Sequence, residues 1–358
     1  MYKSNELEVN KLLMEVLQKN ASDLHLVPGK PPTLRVDSVL VELSDYGVMA
    51  GASISSVIDV LLGSESKRKT FKDNLEVDFS YSYKDNVRFR GNAYMSKGFP
   101  AVALRLVPNK IKTTDELNLP RQISNFANAP QGLILVVGPT GHGKSTTLAS
   151  IVDLVNHTRP ANIVTIEDPI EFIYTQDKCL ISQREVGVDT NSFPQALRSV
   201  LREDVNVILV GEMRDLDSIS TTLTLAETGH LVLATLHTND ASQTIDRIID
   251  VYPAYQQPQI RAQLSNVLIS VVSQRLLPRI GGGRLPALEI MTNNTAVANI
   301  IREGKTHQLP NVIHTSGGDG MISMDRYLAN LVSQNQVKME DALPYASDPN
   351  LFRGLLKI

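Results

Sequence analysis

Apolar and polar residues predict alternating strands and helices along the second part of the chain. An unbroken apolar run at 133–137 is typical of a strand buried on both faces, and further strands are predicted at 163–166, 205–210 and 230–235. Between these strands, the spacing of apolar residues predicts helices at 145–156, 193–202 and 215–227. This alternation predicts an α/β fold with a mostly parallel sheet and helices on both sides. Three later segments, 258–274, 295–304 and 323–334, are predicted to be helices of a C-terminal extension.

The first part of the chain has a different pattern, with more short strands than helices. Apolar residues on one face predict helices at 5–19 and 53–62. Strands are predicted at 24–27, 34–36, 77–83, 87–94 and 101–106. We therefore expect an α+β domain over 1–108, a polar, proline-containing linker over 109–126, and the α/β domain over 127–358.

The composition fits about two globular domains. The 358 residues are 42% hydrophobic and 20% charged, and a net charge of −3 does not favour nucleic-acid binding. The single cysteine, Cys179, excludes a disulfide framework and a multi-cysteine zinc site. The N-terminal residues are too charged for a signal peptide, and no apolar run approaches the ~20 residues that span a membrane. We expect a cytoplasmic protein.

The segment GLILVVGPTGHGKSTT at 132–147 carries the strongest chemical signal. It contains the phosphate-loop pattern G-x-x-x-x-G-K-[ST] between a predicted strand and a predicted helix. There, glycines let backbone N–H groups approach a polyphosphate, Lys144 reaches the outer phosphates and Ser145 holds Mg²⁺. A glycine-rich turn that matches by chance is the alternative, but the strand and helix stand where the motif requires them. The predicted nucleoside triphosphate site consists of Gly138, Pro139, Thr140, Gly141, His142, Gly143, Lys144, Ser145 and Thr146.

Two acidic segments follow predicted strands, where ligands collect in open α/β sheets. The segment VNVILVGE ends in Glu212, which can hold Mg²⁺ directly or through water. The segment TIEDPIE places Glu167, Asp168 and Glu171 close together, as suits a general base that orients attacking water. An ordinary charge at a strand end and a solvated acidic turn are the alternatives.

Two histidines, His230 and His237, flank the apolar segment LVLATL. This position is consistent with two roles. One is a core or edge histidine with satisfied hydrogen bonds, and the other is a sensor of the γ-phosphate. Metal ligation would need a third ligand, which the sequence does not indicate.

Three arginines lie on predicted strands of the first domain. Arg88 and Arg90 are two residues apart and therefore share a face, and Arg105 lies on the next strand. An arginine that reaches ATP would neutralise charge in the transition state and couple two domains or two subunits. A solvated basic strand face is the alternative.

Several segments, in order, resemble the secretion-type hexameric ATPases, and above all the PilT-like retraction ATPases of bacterial type IV pili. They are NASDLHL at 20–26, GPTGHGKSTT at 138–147, TIEDPIEF at 165–172, ALRSVLRED at 196–204, VILVGEMRD at 207–215 and TGHLVLATLHTN at 228–239. AVANIIRE at 296–303 is similar to the family's AIRNLIRE motif. The chain departs from the family at His142, where serine is usual, at 205–206, where Pro-Asp is usual, and at Ser38 in a hairpin turn.

The resemblance implies a PAS-like N-terminal domain, a RecA-like ATPase domain and a homohexameric ring with ATP between subunits. It implies that Glu171 is the catalytic base and that Glu212 is the Walker B acid near Mg²⁺, assisted by Glu167 and Asp168. His230 and His237 then couple nucleotide state to movement, and Arg88, Arg90 and Arg105 match the region that carries the family's arginines. The implied partners are an inner-membrane platform protein and the pilus machinery, which would hold the protein at the cytoplasmic face of the inner membrane.

The leading hypothesis is a motor that hydrolyses ATP and depolymerises a pilus. Retraction is favoured over extension or secretion because the first domain begins almost at Met1 and because Cys179 alone cannot form a four-cysteine zinc site. The hypothesis of a P-loop kinase would leave the N-terminal domain unexplained. A non-hydrolysing accessory ring would not need Lys144 and Glu212, and a DNA-translocating motor has little support from the charge.

Overall fold

A computed structural model describes residues 2–36, 39–84 and 87–356. The chain divides into two units, one made of residues up to 110 together with 171–175, the other of 111–170 and 176–358. The predicted hairpin turn at Ser38 lies outside the described residues.

The described residues of the first unit contain one antiparallel sheet of six strands. Their order across the sheet is β3-β2-β1-β6-β5-β4. The elements are α1 (Tyr2–Gln18), β1 (Asp23–Leu26), β2 (Thr33–Val36), β3 (Val39–Glu42), α2 (Gly51–Leu62), α3 (Glu65–Asn74), β4 (Glu76–Tyr83), β5 (Val87–Ser96) and β6 (Phe99–Val107).

The core of this unit lies between the two amphipathic helices and one face of the sheet. Leu13 of α1 and Ile58 of α2 are buried with Leu24, Phe89 and Leu104 of the strands. The sequence missed β3 and α3 because neither element contributes a buried apolar face. All four side chains of β3 are exposed, and every side chain of α3 is exposed or half-buried.

The second unit contains, in its described part, a sheet of seven strands in the order β13-β12-β7-β11-β10-β8-β9. All neighbours are parallel except β12 and β13. The elements are α4 (Arg121–Asn125), β7 (Gly132–Val137), α5 (Lys144–Thr158), β8 (Asn162–Glu167), β9 (Leu180–Glu185), α6 (Phe193–Val200), β10 (Val207–Val210), α7 (Leu216–Glu227), β11 (Leu231–Leu236), α8 (Ala241–Asp250), α9 (Gln257–Val267), β12 (Leu268–Pro278), β13 (Arg284–Thr292), α10 (Thr295–Glu303), α11 (Leu309–Thr315), α12 (Met324–Ser333), α13 (Met339–Ala342) and α14 (Pro349–Leu355).

The predicted α/β fold with a mostly parallel sheet is confirmed. Strands β7, β10 and β11 are buried at every position, which explains why their sequences are almost entirely apolar. No helix in the described ranges is long and apolar enough to span a membrane.

The predicted helix at 258–274 is wrong in its second half. Helix α9 ends at Val267, and β12 begins at Leu268 and pairs with β7 and β13. An apolar segment such as LISVV fits a buried helix and a buried strand equally well, so its spacing could not decide between them. The C-terminal part is therefore not purely helical, because the β12–β13 hairpin extends the main sheet.

Candidate nucleotide-binding site

The turn between β7 and α5 approaches β12 so closely that it needs glycine. Gly138 has a φ of +142°, and a Cβ atom on it would lie 2.4 Å from the backbone oxygen of Gln274. Gly143 has a φ of +80°, and a Cβ atom there would lie 3.0 Å from Gln274 Nε2. The N-terminus of α5, which attracts anions, follows directly.

Lys144 is the first residue of α5 and is 7% exposed. Its Nζ atom donates hydrogen bonds to the backbone oxygens of Gly138 (2.7 Å) and Pro139 (3.0 Å). The ammonium group is therefore held beside the loop that the sequence predicts to bind phosphate.

His237 links Lys144 to the acid at the end of β10. Its Nδ1 atom lies 3.4 Å from Lys144 Nζ, and its Nε2 atom lies 3.3 Å from Glu212 Oε1. The three residues follow β7, β10 and β11, which are parallel, so their carboxyl ends meet at one edge of the sheet. The structure thus brings His237 to the predicted phosphate loop, and its role as a γ-phosphate sensor stays a prediction.

Arg214 extends this cluster towards the acidic segment TIEDPIEF at 165–172. Its Nε atom donates to Glu212 Oε2 at 2.8 Å, and its NH1 atom lies 3.5 Å from Asp168 Oδ2. The hydrogen bond to Glu212 raises the pKa of the Arg214 guanidinium. Sequence reasoning did not select Arg214, although it lies two residues after Glu212 in VILVGEMRD.

Glu167 lies deeper in the sheet than Asp168. It is 7% exposed, and its Oε1 atom accepts a hydrogen bond from Thr165 Oγ1 at 2.7 Å. Gly211 packs against this strand, since its N–H donates to Ile166 O and a Cβ atom on it would lie 3.1 Å from that oxygen. Glu167 is thus built into the edge of the sheet that carries Glu212.

The side-chain oxygen atoms at the carboxyl ends of these parallel strands are suited to binding a hard metal ion. Ser145 provides a hydroxyl in the first turn of α5, and Glu212 provides a carboxylate. Oxygen ligands of these kinds suit Mg²⁺, which also takes oxygens from water and from substrate phosphates. Among residues 2–36, 39–84 and 87–356, no group of three or more His, Cys, Asp or Glu side chains could hold a metal ion by itself.

His142, which stands where serine is usual in the family, contacts other residues of the second unit. Its Nδ1 atom accepts a hydrogen bond from Leu276 N (2.9 Å), and its ring meets that of Tyr345 edge-on at 6.0 Å. Burial, followed by the charges of Arg275 and Lys144, lowers the pKa of His142. The neutral ring therefore fits the loop without adding a cation.

Comparison with known proteins decides the family. The model of the type II/IV secretion system protein family matches residues 3–315. The chain belongs to this family. It is 44% identical to the type IV pilus retraction ATPase PilT of Pseudomonas aeruginosa over 97% of the chain and 100% of the relative. It is 45% identical to a twitching motility protein of Neisseria gonorrhoeae over 82% of the chain and 79% of the relative.

A solved structure gives the same result for the fold. The crystal structure of the pilus retraction motor PilT with bound ADP superposes with a TM-score of 0.87, at 43% identity, over 96% of this chain and 98% of that one. The α/β fold of the secretion ATPases is therefore the fold of this chain.

In this secretion-family chain, His230 lies at the opposite end of β11 from His237. The strand between them has six residues and hence a length of about 20 Å. His230 Nδ1 lies 2.9 Å from Leu225 O and 3.2 Å from Thr228 Oγ1. The structure does not bring His230 to the Lys144–Glu212 cluster, and its coupling role stays a prediction.

Glu171, the expected base, belongs to the first unit. The segment 171–175 joins that unit, where Ile173 N donates to Pro108 O at 3.2 Å and Tyr174 is buried. The Glu171 side chain is exposed. Its assignment as the base stays a prediction.

The three arginines of the first unit share one face of its sheet. Arg88 and Arg90 alternate with the buried Phe89 on β5, and Arg90 lies directly opposite Arg105 on β6. Arg105 Nε donates to Asp23 Oδ1 at 2.7 Å. Burial acts to raise the pKa of Asp23, but hydrogen bonds from Ser22 and Arg105 outweigh it and lower that pKa.

Proposed function

We propose that this chain is an ATP-hydrolysing motor that powers type IV pilus retraction, and so twitching motility, by pilin depolymerisation. The observation that carries the proposal is the Lys144–His237–Glu212 chain of contacts beside a glycine-requiring loop, in a protein that PilT matches along nearly its full length. A phosphate loop whose lysine is connected through a histidine to a glutamate at the end of a neighbouring strand is suited to phosphoryl transfer.

At the site, the loop residues 138–146 bind the phosphates of ATP, and Lys144 contacts the outer ones. Ser145 and Glu212 hold Mg²⁺, which neutralises charge on the phosphoryl oxygens when it is bound. Glu171 takes the proton of the attacking water, assisted by Glu167 and Asp168. His237, between Lys144 and Glu212, detects whether the γ-phosphate is present.

The proposal extends to the assembly. A PAS-like domain (1–108), a linker (109–126) and a RecA-like ATPase domain (127–358) form the subunit of a homohexamer with ATP between subunits. The arginines of the first domain (Arg88, Arg90 and Arg105) supply positive charge to ATP across domains or subunits, and His230 transmits the nucleotide state. The ring works at the cytoplasmic face of the inner membrane, held there by a platform protein and the pilus machinery, without direct nucleic-acid contact.

Pilus counts on cells test this function. Cells whose single copy carries Glu212→Ala are compared with cells carrying the intact gene and with cells carrying Glu340→Ala, an exposed glutamate on α13. We expect surplus surface pili and lost twitching for Glu212→Ala alone. Cells without pili would indicate an extension or secretion motor, and unchanged pili would contradict a role in this system.

A further inference from the structure

One buried amide on β12 contacts both the end of the phosphate loop and the helix that follows it. Gln274 is 2% exposed, and its Nε2 atom donates to the backbone oxygen of His142 at 2.8 Å. Its Oε1 atom accepts from Thr147 Oγ1, also at 2.8 Å. The two ends of one amide thus bind the last turn of the loop and the first turn of α5.

The backbone around Gln274 is fixed as well. β12 pairs in parallel with β7 up to the Ser273–Val137 pair, so Gln274 is the next residue along, beside Gly138. The N–H of Leu276 donates to the His142 ring, and Arg275 NH1 donates to the backbone oxygen of Gln274 at 3.0 Å. The amide is therefore presented by a strand whose Leu276 N–H binds the same loop residue and whose backbone at Gln274 is bound by Arg275.

The direction of the His142 carbonyl has a consequence for the next N–H group. In a planar trans peptide, the C=O of one residue and the N–H of the next point in opposite directions. The His142 carbonyl points at Gln274, so the Gly143 N–H points away from that amide. In a phosphate loop, N–H groups that point into the loop cradle the phosphates.

We propose that Gln274 is a positioning residue of the phosphate loop, which aims the Gly143 N–H at the β-phosphate of the nucleotide by holding the His142 carbonyl. This inference rests on the proposed function, because it needs a nucleotide in the loop. Gln274 acts through the loop and does not touch the nucleotide. Thr147 keeps the amide in the required orientation, because its hydroxyl binds the oxygen end and leaves the nitrogen end for His142.

The matched substitution is Gln274→Glu, which keeps the shape of the side chain. At about pH 9, where even a buried carboxyl is ionised, the carboxylate still accepts from Thr147 but has no N–H for the His142 carbonyl, so that peptide loses its orientation. We expect Mg·ADP affinity and the KM for ATP to worsen roughly ten- to hundredfold. The affinity for AMP, which lacks the β-phosphate, should change less than threefold. Thr147→Val should weaken ADP binding by a smaller factor, because it removes the anchor and leaves the donor.

Binding of ADP and AMP to the full chain would be measured by calorimetry at the same pH for these variants, with Gln195→Glu, at an exposed position on α6, as the control for the same chemical change. An ADP affinity within twofold of wild type for Gln274→Glu would overturn the inference. Equal losses for ADP and AMP would also overturn it, because they would indicate general damage to the fold. If Lys144→Ala also left ADP affinity unchanged, the proposed function itself would fail.

Discussion

Two buried carboxylates, one in each unit, have pKa values shifted in opposite directions. Asp23 in the first unit accepts a hydrogen bond directly from Arg105, and its pKa is lowered despite burial. Glu289 on β13 accepts from the N–H of Ala241, and burial raises its pKa to about 7, with nearby Asp240 adding to the rise. Burial alone does not set the sign of the shift in pKa, because at Asp23 the hydrogen bonds from Ser22 and Arg105, together with the arginine's charge, outweigh it.

The arginine near Glu289 has its hydrogen bonds directed elsewhere. Arg275 donates to the backbone oxygen and side chain of Asn239, two residues after His237, and to the backbone oxygen of Gln274. These hydrogen bonds therefore fix the backbone around the candidate site, whereas Arg275 acts on the Glu289 carboxylate through its charge, which lowers the pKa of Glu289 less than burial raises it. In the second unit, the buried guanidinium of Arg275 binds the loop that follows His237. In the first unit, the arginines lie on one face of the sheet.

The largest expected effect comes from the second unit. Lys144→Ala removes the ammonium that bonds Gly138 and Pro139, and we expect ATP turnover to fall by about 10²–10³-fold. Lys338→Ala, which removes an exposed lysine, is the control and should keep wild-type turnover. Steady-state phosphate release measures both, and equal rates for the two variants would remove Lys144 from the site.

The next effect concerns the stability of the second unit. The folded pKa of Glu289, about 7, lies above its ordinary value of 4.5, so the folded state binds more protons than the unfolded state between those values. The free energy of unfolding should therefore fall on the order of 2–3 kcal/mol as the pH rises from 4.5 to 7. Glu289→Gln, which can still accept from Ala241, should lack this loss and be more stable at pH 8.

Denaturant unfolding at several pH values, with the second unit's transition followed separately, measures this difference. If the wild type and the glutamine variant lost stability in parallel between pH 4.5 and 7, Glu289 would not be the titrating group.

The smallest effect comes from the first unit. The lowered pKa of Asp23 means that its contribution is present above an unfolded pKa of 3.8 and is lost as the pH falls through the folded value. Because Arg105 is 69% exposed, Asp23→Asn should cost about 1 kcal/mol at pH 7 and progressively less as the pH falls below 3.8. The same unfolding experiment measures it, and a cost that did not change with pH in this way would show that the charge is not responsible.

The sequence predicted those parts of the structure that depend on residues close together along the chain. The loop at 138–146 and the strands β7, β10 and β11 follow from glycine spacing and apolar runs, and the shared face of Arg88 and Arg90 follows from their spacing. Gln274 could not be predicted, because its segment was interpreted as a helix and its partner His142 is 132 residues away along the chain. Arg275 carried no local signal, since its partner Asn239 is 36 residues away. The Lys144–His237–Glu212 contacts depend on strand order, which one sequence does not reveal.

The most direct test of the central claim is ATP turnover and ATP binding by the purified Glu212→Gln variant. The substitution keeps the shape of the side chain but removes the charge that faces His237 and Arg214. The account predicts that ATP binds within about threefold of wild type while turnover falls about 10²-fold or more. Wild-type turnover in this variant would contradict the account, because hydrolysis would then not depend on the acid at the end of β10.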